Sequence, residues 1–234
     1  MPLSLHTRGV GDVTIVRCSG RIVAGETAES LRQHIAALLL DRRDIVLHLG
    51  DVDFVDSSGL GTLVRLLSST RRARGDLKLC HVPENLDKVL KLTKIISLFD
   101  TLASEEDAVS AFYKRTGMPG IPSPAGPSIM CVDTSADVLA YLRELLRGAG
   151  YSVMTSSNLR DSLILIRATK PGLVVIGPNL SASPTTQQAF ASACATLRVL
   201  NLGPEFSRLE AGAAGLELLE RIRTQLPSSS GMAS

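Results

Sequence analysis

A proline- and glycine-rich segment near the middle is the feature that most constrains how this chain of 234 residues can fold. Residues 117–127, GMPGIPSPAGP, contain four prolines and three glycines. Because proline lacks a backbone donor and glycine disfavours regular structure, neither a helix nor a strand can continue through this segment. The segment predicts a linker between two domains, residues 1–116 and 128–226, each long enough to form its own core. The last residues, 227–234, are predicted to be a disordered tail.

Composition argues against several classes of function. The formal net charge is +2, and aromatic residues make up only 3% of the chain. A chain so close to neutrality does not resemble a dedicated nucleic-acid-binding protein, and so few aromatic rings disfavour a base-stacking surface. Hydrophobic residues make up 44%, so we expect cores built mainly from aliphatic side chains.

The sequence indicates neither a metal site nor a membrane segment. Its cysteines and histidines lack the CxxC, HxxxH and HExxH spacings that hold metal ions. The four cysteines lie in apolar stretches, and we expect them to be buried free thiols in a reducing compartment. The first residues lack the apolar core of a signal peptide, and no apolar run reaches the ~20 residues of a membrane span. We therefore expect a cytoplasmic protein without cofactor or metal.

Strand and helix patterns alternate in both domains. In the first, residues 3–6 and 13–18 predict a hairpin, and residues 44–49 read as a strand buried on both faces. Helical spacing follows over residues 26–40 and from Leu60 to about Ala73. In the second domain, strand patterns at 128–132, 151–155, 173–176 and 197–202 are separated by helical patterns. Both domains are therefore predicted to be α/β, the second of them doubly wound.

A serine between a strand pattern and a helix pattern is the most informative residue. Asp56, Ser57 and Ser58 place Ser57 at or near a helix N-cap, where backbone N–H groups lack partners inside the helix. A hydroxyl there would lie at the rim of the domain, and a phosphate on it would meet the positive end of the helix. The glycines at 59 and 61 would let another chain approach closely. The plainer interpretation, that these residues only cap a helix, stays open.

A hydrolytic role for this serine has no support in the sequence. The segment is not GxSxG, and no histidine has an evident role as a base. Since no set of acid, base and nucleophile can be recognised, the chain is predicted not to be an enzyme.

The segment DFVDSSGLGTLV, the preceding GRIVAGETAESLRQHI and the strand DIVLHLGDV closely resemble STAS-domain anti-sigma factor antagonists. The resemblance extends through GDLKLCHVPENLDKVLKLTKIISLFDTLASEEDAVSAF and covers about residues 3–113. It implies a STAS-type mixed sheet with helices. In this family the serine after the aspartate of DS[ST]GLG is phosphorylated by the partner anti-sigma factor, an ATP-dependent serine kinase. The unphosphorylated antagonist binds the anti-sigma factor and frees the sigma factor, and phosphorylation separates the complex.

The resemblance implies that Ser57 is the phosphorylated residue. It also implies that the partner contacts surround this serine, at Asp56, Ser58, Gly59, Leu60 and Arg21. The turn at residues 20–25 lacks the acidic residue that many members carry there, which leaves the identity of the kinase open. For Arg21, a solvated loop residue is the other interpretation. The alternative function is a STAS scaffold or adaptor in a signalling assembly, and the oligomeric state is left open.

Residues 128–226 resemble a response-regulator receiver domain, most clearly over SIMCVDTSADVLAYLRELLRGAGYSV and SSNLRDSLILIRATKPGLVVIGPNL. Receivers carry two adjacent acidic residues after the first strand and a phosphate-accepting aspartate after the third. Asp133 matches the first acidic residue, but Thr134 stands at the second place and Gly177 at the accepting place. Glycine cannot form an acyl phosphate, and one carboxylate is a poor magnesium site. The resemblance therefore implies a degenerate receiver-like domain that is not phosphorylated.

Overall fold

The computed structural model describes residues 2–115, 127–180, 183–203, 206 and 211–226. The chain divides into two compact units, Met1–Lys114 and Arg115–Ser234, which we call the N-terminal and C-terminal units. Residues 117–126 of the predicted linker and all of the predicted tail lie outside the described residues. The domain boundaries drawn from the sequence therefore stay a prediction.

The N-terminal unit is built on a five-stranded mixed sheet in the order β1-β2-β3-β4-β5. Its strands are β1 (Ser4–Val10), β2 (Val13–Ile22), β3 (Asp44–Val55), β4 (Asp76–Cys80) and β5 (Asp100–Leu102). β1 and β2 form the predicted hairpin, and the other neighbouring strands are parallel. The hairpin turn contains Gly11 at φ 62°, a conformation that glycine adopts without strain.

Four helices accompany this sheet: α1 (Glu26–Leu38), α2 (Ser57–Arg72), α3 (Glu84–Leu92) and α4 (Glu105–Arg115). The apolar stripes of α1 and α2, with Leu31, Ile35 and Leu63, pack with Leu47 of β3 in one aliphatic core. Val46, the neighbour of Leu47 on β3, is also fully buried, so this strand is covered on both faces as predicted.

β3 is longer than the strand next to it, and this difference positions the candidate site. β4 pairs with β3 only from Asp44 to His48, whereas β2 pairs with it as far as Val55. The second half of β3 therefore extends past β4 and leads directly into α2.

The C-terminal unit contains a four-stranded parallel sheet in the order β7-β6-β8-β9. Its strands are β6 (Ser128–Val132), β7 (Ser152–Ser156), β8 (Leu173–Ile176) and β9 (Arg198–Asn201). Its helices are α5 (Ala136–Gly148), α6 (Leu159–Thr169), α7 (Pro184–Cys194) and α8 (Ala211–Gln225). Because the first strand lies inside the sheet with strands added on both sides, the unit is doubly wound, as predicted.

All four cysteines are buried, as their apolar surroundings predict. Burial raises the pKa of Cys18, Cys80 and Cys131 to about 12, so these thiols are protonated at neutral pH. Among the described residues, no helix combines the length and the apolar character needed to cross a bilayer. In the same part of the chain, no three histidine, cysteine, aspartate or glutamate side chains form a cluster that could hold a metal ion.

Candidate functional site

The carboxylate of Asp56 holds the entry into α2. Its Oδ1 accepts a hydrogen bond from the backbone N–H of Gly59 at 2.7 Å, and its Oδ2 accepts one from the backbone N–H of Ala24 at 3.0 Å. The bonds from Ala24 and Gly59 favour the charged form and lower the pKa of Asp56. Asp56, with extended φ −87° and ψ −179°, is therefore the N-cap, and it ties α2 to the loop before α1.

Ser57 is the first residue of α2, directly after the cap, which agrees with the expected position at or near the N-cap. Both Ser57 and Ser58 are exposed. The ionised carboxylate of the N-cap Asp56 already offsets part of the positive end of the helix dipole. The hydroxyl of the exposed Ser57 lies beside this carboxylate.

Gly59 has a structural role that the sequence did not reveal. A Cβ at this position would lie 2.2 Å from the carbonyl oxygen of Ile22 and 2.8 Å from Cγ1 of Val55. α2 can approach the end of β2 this closely only because residue 59 lacks a side chain. At Gly61, in contrast, a Cβ would meet only the end of the Arg65 side chain, at 3.6 Å.

Two of the predicted partner contacts, Gly59 and Leu60, are buried in the unit. Gly59 is buried, and Leu60 is only 6% exposed and belongs to the aliphatic core. The space beside Gly59 is taken by this unit's own β2, so no other chain can occupy it. These two residues support the site from below, whereas Asp56, Ser57 and Ser58 form its accessible part.

Arg21 lies over an exposed aromatic ring beside the site. Its guanidinium carbon is 5.0 Å from the centroid of Phe54, and the two residues are paired between β2 and β3. Phe54 is 46% exposed, and such a cation–π pair contributes about 0.5–1 kcal/mol at the surface. The positive charge of Arg21 also helps to lower the pKa of Asp56. Phe54 was not among the predicted site residues, although it stands two residues before Asp56 in a chain with few aromatic residues.

Comparison with known proteins matches residues 4–108 to the STAS domain. BtrV of Bordetella bronchiseptica, named as an anti-sigma factor antagonist, is 29% identical over 109 residues, which cover 46% of this chain and 92% of BtrV. The anti-sigma-B factor antagonist of Bacillus subtilis is 31% identical over 91 residues, 37% of this chain and 84% of that protein. A solved anti-sigma factor antagonist from Mycobacterium paratuberculosis is 24% identical at a TM-score of 0.43, covering 47% of this chain and 94% of its own. Through its N-terminal unit, this chain belongs to the STAS-domain family, and its homologues are named anti-sigma factor antagonists.

Proposed function

We propose that this chain is an anti-sigma factor antagonist that binds an anti-sigma factor with serine kinase activity and is released when Ser57 is phosphorylated. The observation that carries the proposal is the exposed hydroxyl of Ser57 on the first turn of α2, directly after the Asp56 cap. A kinase can reach such a hydroxyl without unfolding the unit. Since this phosphorylation consumes ATP, the proposal places the protein in the cytoplasm.

A phosphate on Ser57 would oppose binding through its charge and its hydration. It adds about −1.5 to −2 charges at neutral pH. Asp56, whose pKa is lowered, is ionised there and adds repulsion at the same rim. A change of ~3 kcal/mol in the free energy of binding corresponds to somewhat over a hundredfold in affinity. One modification could therefore separate the two proteins.

The accessible groups around Ser57 form the proposed partner surface. They are Asp56, Ser58, Arg21 and the exposed ring of Phe54. This surface includes an aromatic ring and an arginine, two residue types that are enriched at the centre of protein interfaces. Gly59 and Leu60 fix the position of α2 beneath this surface.

The test is phosphorylation by candidate anti-sigma kinases from the same genome in the presence of ATP, followed by mass-spectrometric mapping of the site. We expect one phosphoryl group on Ser57 in the wild type and none in Ser57→Ala. Ser58→Ala is the matched control for the site, because it removes the neighbouring exposed hydroxyl and the phosphoryl group should still map to Ser57. Phosphorylation of Ser57→Ala to the wild-type extent would refute the proposal.

For the C-terminal unit we propose a receiver-like domain that does not accept a phosphoryl group. Asp133 is fully buried, and its carboxylate accepts hydrogen bonds from the backbone N–H groups of Ser135 at 2.6 Å and Asn179 at 3.0 Å. A Cβ at Gly177 would lie 2.0 Å from Oδ2 of Asp133. These contacts support a role for Asp133 in joining two loops rather than in chemistry. Incubation with acetyl phosphate and magnesium should yield no phosphoaspartate, and detection of one would overturn this proposal.

A further inference from the structure

A groove runs along the surface of the N-terminal unit between α1 and α2. It consists of two hollows of about 540 and 310 Å³, and Arg32 and Arg65 line both of them. The larger hollow opens beside Ser58, next to the proposed phosphorylation site. The smaller hollow continues to Arg72 at the end of α2. We call the two together the α1–α2 groove.

Small side chains explain why this space is open. Ala28 and Ala36 of α1 and Thr62 and Ser69 of α2 line the groove, and none is long enough to fill it. The exposed Ala36 and the half-buried Leu39 supply its accessible apolar floor, and Ile35 and Leu66, which are 0% and 3% exposed, lie beneath them. A concave surface of this size with an apolar floor suits the apolar side chains of a bound segment.

The rim of the smaller hollow is positively charged. Arg32, Arg65 and Arg72 are exposed, and none of the described residues that line this hollow is acidic. In the larger hollow, Glu26 and Glu29 balance Arg32 and Arg65, and Glu29 is paired with Arg32 at 3.1 Å. The attraction for negative charge is therefore strongest at Arg65 and Arg72, along the smaller hollow.

The length and shape of the groove fit a helix. At ~1.5 Å per residue, the stretch of α2 from Ser58 to Arg72 spans about 21 Å, the length of a helix of about 14 residues. Grooves between two helices bind amphipathic helices through apolar residues at positions i, i+3, i+4 and i+7. We propose that the α1–α2 groove binds an acidic amphipathic helix of a protein partner. This inference goes beyond the proposed function, because the groove runs along α1 and α2 and shares only Ser58 with the partner surface around Ser57.

The first test uses the full chain, labelled with ¹⁵N, and two synthetic helical peptides of about 15 residues. Both peptides have leucine at i, i+3, i+4 and i+7, and the other positions are mainly glutamate in one and lysine in the other. We expect saturable NMR shift changes with the glutamate peptide at the amides that line the groove, and binding of the lysine peptide at least about tenfold weaker. No saturable binding, shift changes confined to another surface, or equal binding of the two peptides would overturn the proposal.

The second test reverses the charge of the rim with Arg65→Glu combined with Arg72→Glu. Arg43→Glu with Arg74→Glu is the matched control, because it makes the same change in net charge at exposed residues outside the groove lining. We expect the glutamate peptide to bind about tenfold more weakly to the groove variant and within about twofold of wild type to the control. Equal losses in both variants would show a general field effect and contradict the proposal.

The third test separates a protein partner from an acidic membrane surface. The full chain is sedimented with vesicles of phosphatidylcholine alone and with vesicles that contain phosphatidylserine. We expect no sedimentation with either. Sedimentation with the phosphatidylserine vesicles that is lost in the groove variant would identify the groove as a lipid-binding surface and overturn the proposal.

Discussion

Asp56 determines the geometry in which Ser57 is presented. Its carboxylate accepts hydrogen bonds from the backbone N–H groups of Gly59 and Ala24, two residues that are distant from each other in the sequence. We predict that Asp56→Ala lowers the Tm of the protein by about 4 °C, because both N–H groups lose their acceptor. Asp56→Asn, which keeps an oxygen acceptor, should lose less. The measurement is thermal unfolding followed by circular dichroism, and an unchanged Tm in Asp56→Ala would contradict the capping role.

The same residue is expected to make stability depend on pH. Because its folded pKa is lowered, Asp56 contributes stability at pH values above the ordinary aspartate pKa, and this contribution is lost as the pH falls through that value towards the folded pKa. Asp56→Asn should therefore show a weaker loss of stability between about pH 5 and pH 3 than the wild type. Urea unfolding at several pH values measures the difference. Parallel curves for the two proteins would contradict the assignment.

Gly59 and Gly61 provide a matched pair of substitutions with opposite expected effects. An added methyl group at Gly59 meets the backbone oxygen of Ile22 at 2.2 Å, so Gly59→Ala should destabilise the protein by about 1–3 kcal/mol. At Gly61 the nearest atom is the flexible end of Arg65, and Gly61→Ala should stabilise α2 by up to about 1 kcal/mol. Urea unfolding of the two variants tests both signs. If the two substitutions have the same effect, the close approach of α2 to β2 is not what requires Gly59.

Residue type alone could not distinguish these two glycines. Both follow the serine pair in the sequence, and both were predicted to make room for another chain. Only the packing of β2 against α2 shows that the space at Gly59 is filled from inside the unit. The position of Ser57 could be predicted to within one residue, because capping residues and the strand before them leave a clear pattern.

A helix or strand could be predicted from the sequence when it was long enough for its apolar residues to show a regular spacing. α1 begins at Glu26, where its pattern places it, because its apolar residues recur at helical spacing over several turns. β5, with three residues, and the short 3₁₀ helix at Ile95–Leu98 were missed, because so few residues cannot display a period. The sequence shows strand patterns at residues 44–49 and 52–55, and β3 joins them into one strand through Gly50 and Asp51, since β2 pairs with it along this length.

A second group whose titration should affect stability is His48, which is buried within the N-terminal unit. His48 on β3 is 7% exposed, and its ring lies 4.5 Å from that of His81. Burial, followed by the nearby His81 and by Arg17, lowers the pKa of His48, although Glu105 and Asp51 oppose this shift. The unfolded chain binds a proton at His48 more readily than the folded chain does. The free energy of unfolding should therefore keep its full value above about pH 6.5 and decrease as the pH falls through the ordinary pKa of histidine.

His48→Gln tests this expectation, with His6→Gln on the exposed edge strand as the control. We predict that the free energy of unfolding of the wild type decreases between pH 7.5 and pH 5.5, and that His48→Gln reduces this decrease whereas His6→Gln preserves it. Urea unfolding across this pH range provides the measurement. An unchanged slope in His48→Gln would show that other groups cause the pH dependence.

At the scale of the whole molecule, the composition conceals local differences in charge. A net charge of +2 argues against a dedicated nucleic-acid-binding protein, and it leaves room for a local patch: among the described residues, three arginines and no acidic residue line the smaller hollow of the α1–α2 groove. The sum over the chain cannot show this, because the folding of α1 against α2 brings together residues that are distant in sequence. The net charge of a chain excludes a strong electrostatic field over the whole protein, but it does not exclude a charged patch on one part of the surface.

The two units are expected to fold independently, because each has an aliphatic core made from its own residues. One core extends from Val16 to Phe99 and the other from Ile129 to Leu226. We predict that residues 1–116 produced alone unfold cooperatively in urea, with a midpoint close to that of the corresponding transition in the full chain. Residues 128–226 should behave in the same way.

The isolated N-terminal part also tests which unit carries the switch. If residues 4–108 supply the STAS activity, residues 1–116 should be phosphorylated at Ser57 by the same kinase at a rate within about twofold of the full chain, since the site is built entirely from β2, β3 and α2. Ser57→Ala in the short protein is the control. Suppose that residues 1–116 are folded but are phosphorylated at least about tenfold more slowly than the full chain. The Ser57 hydroxyl and its Asp56 cap are the same in both proteins, so this result would show that the C-terminal unit takes part in recognition by the kinase.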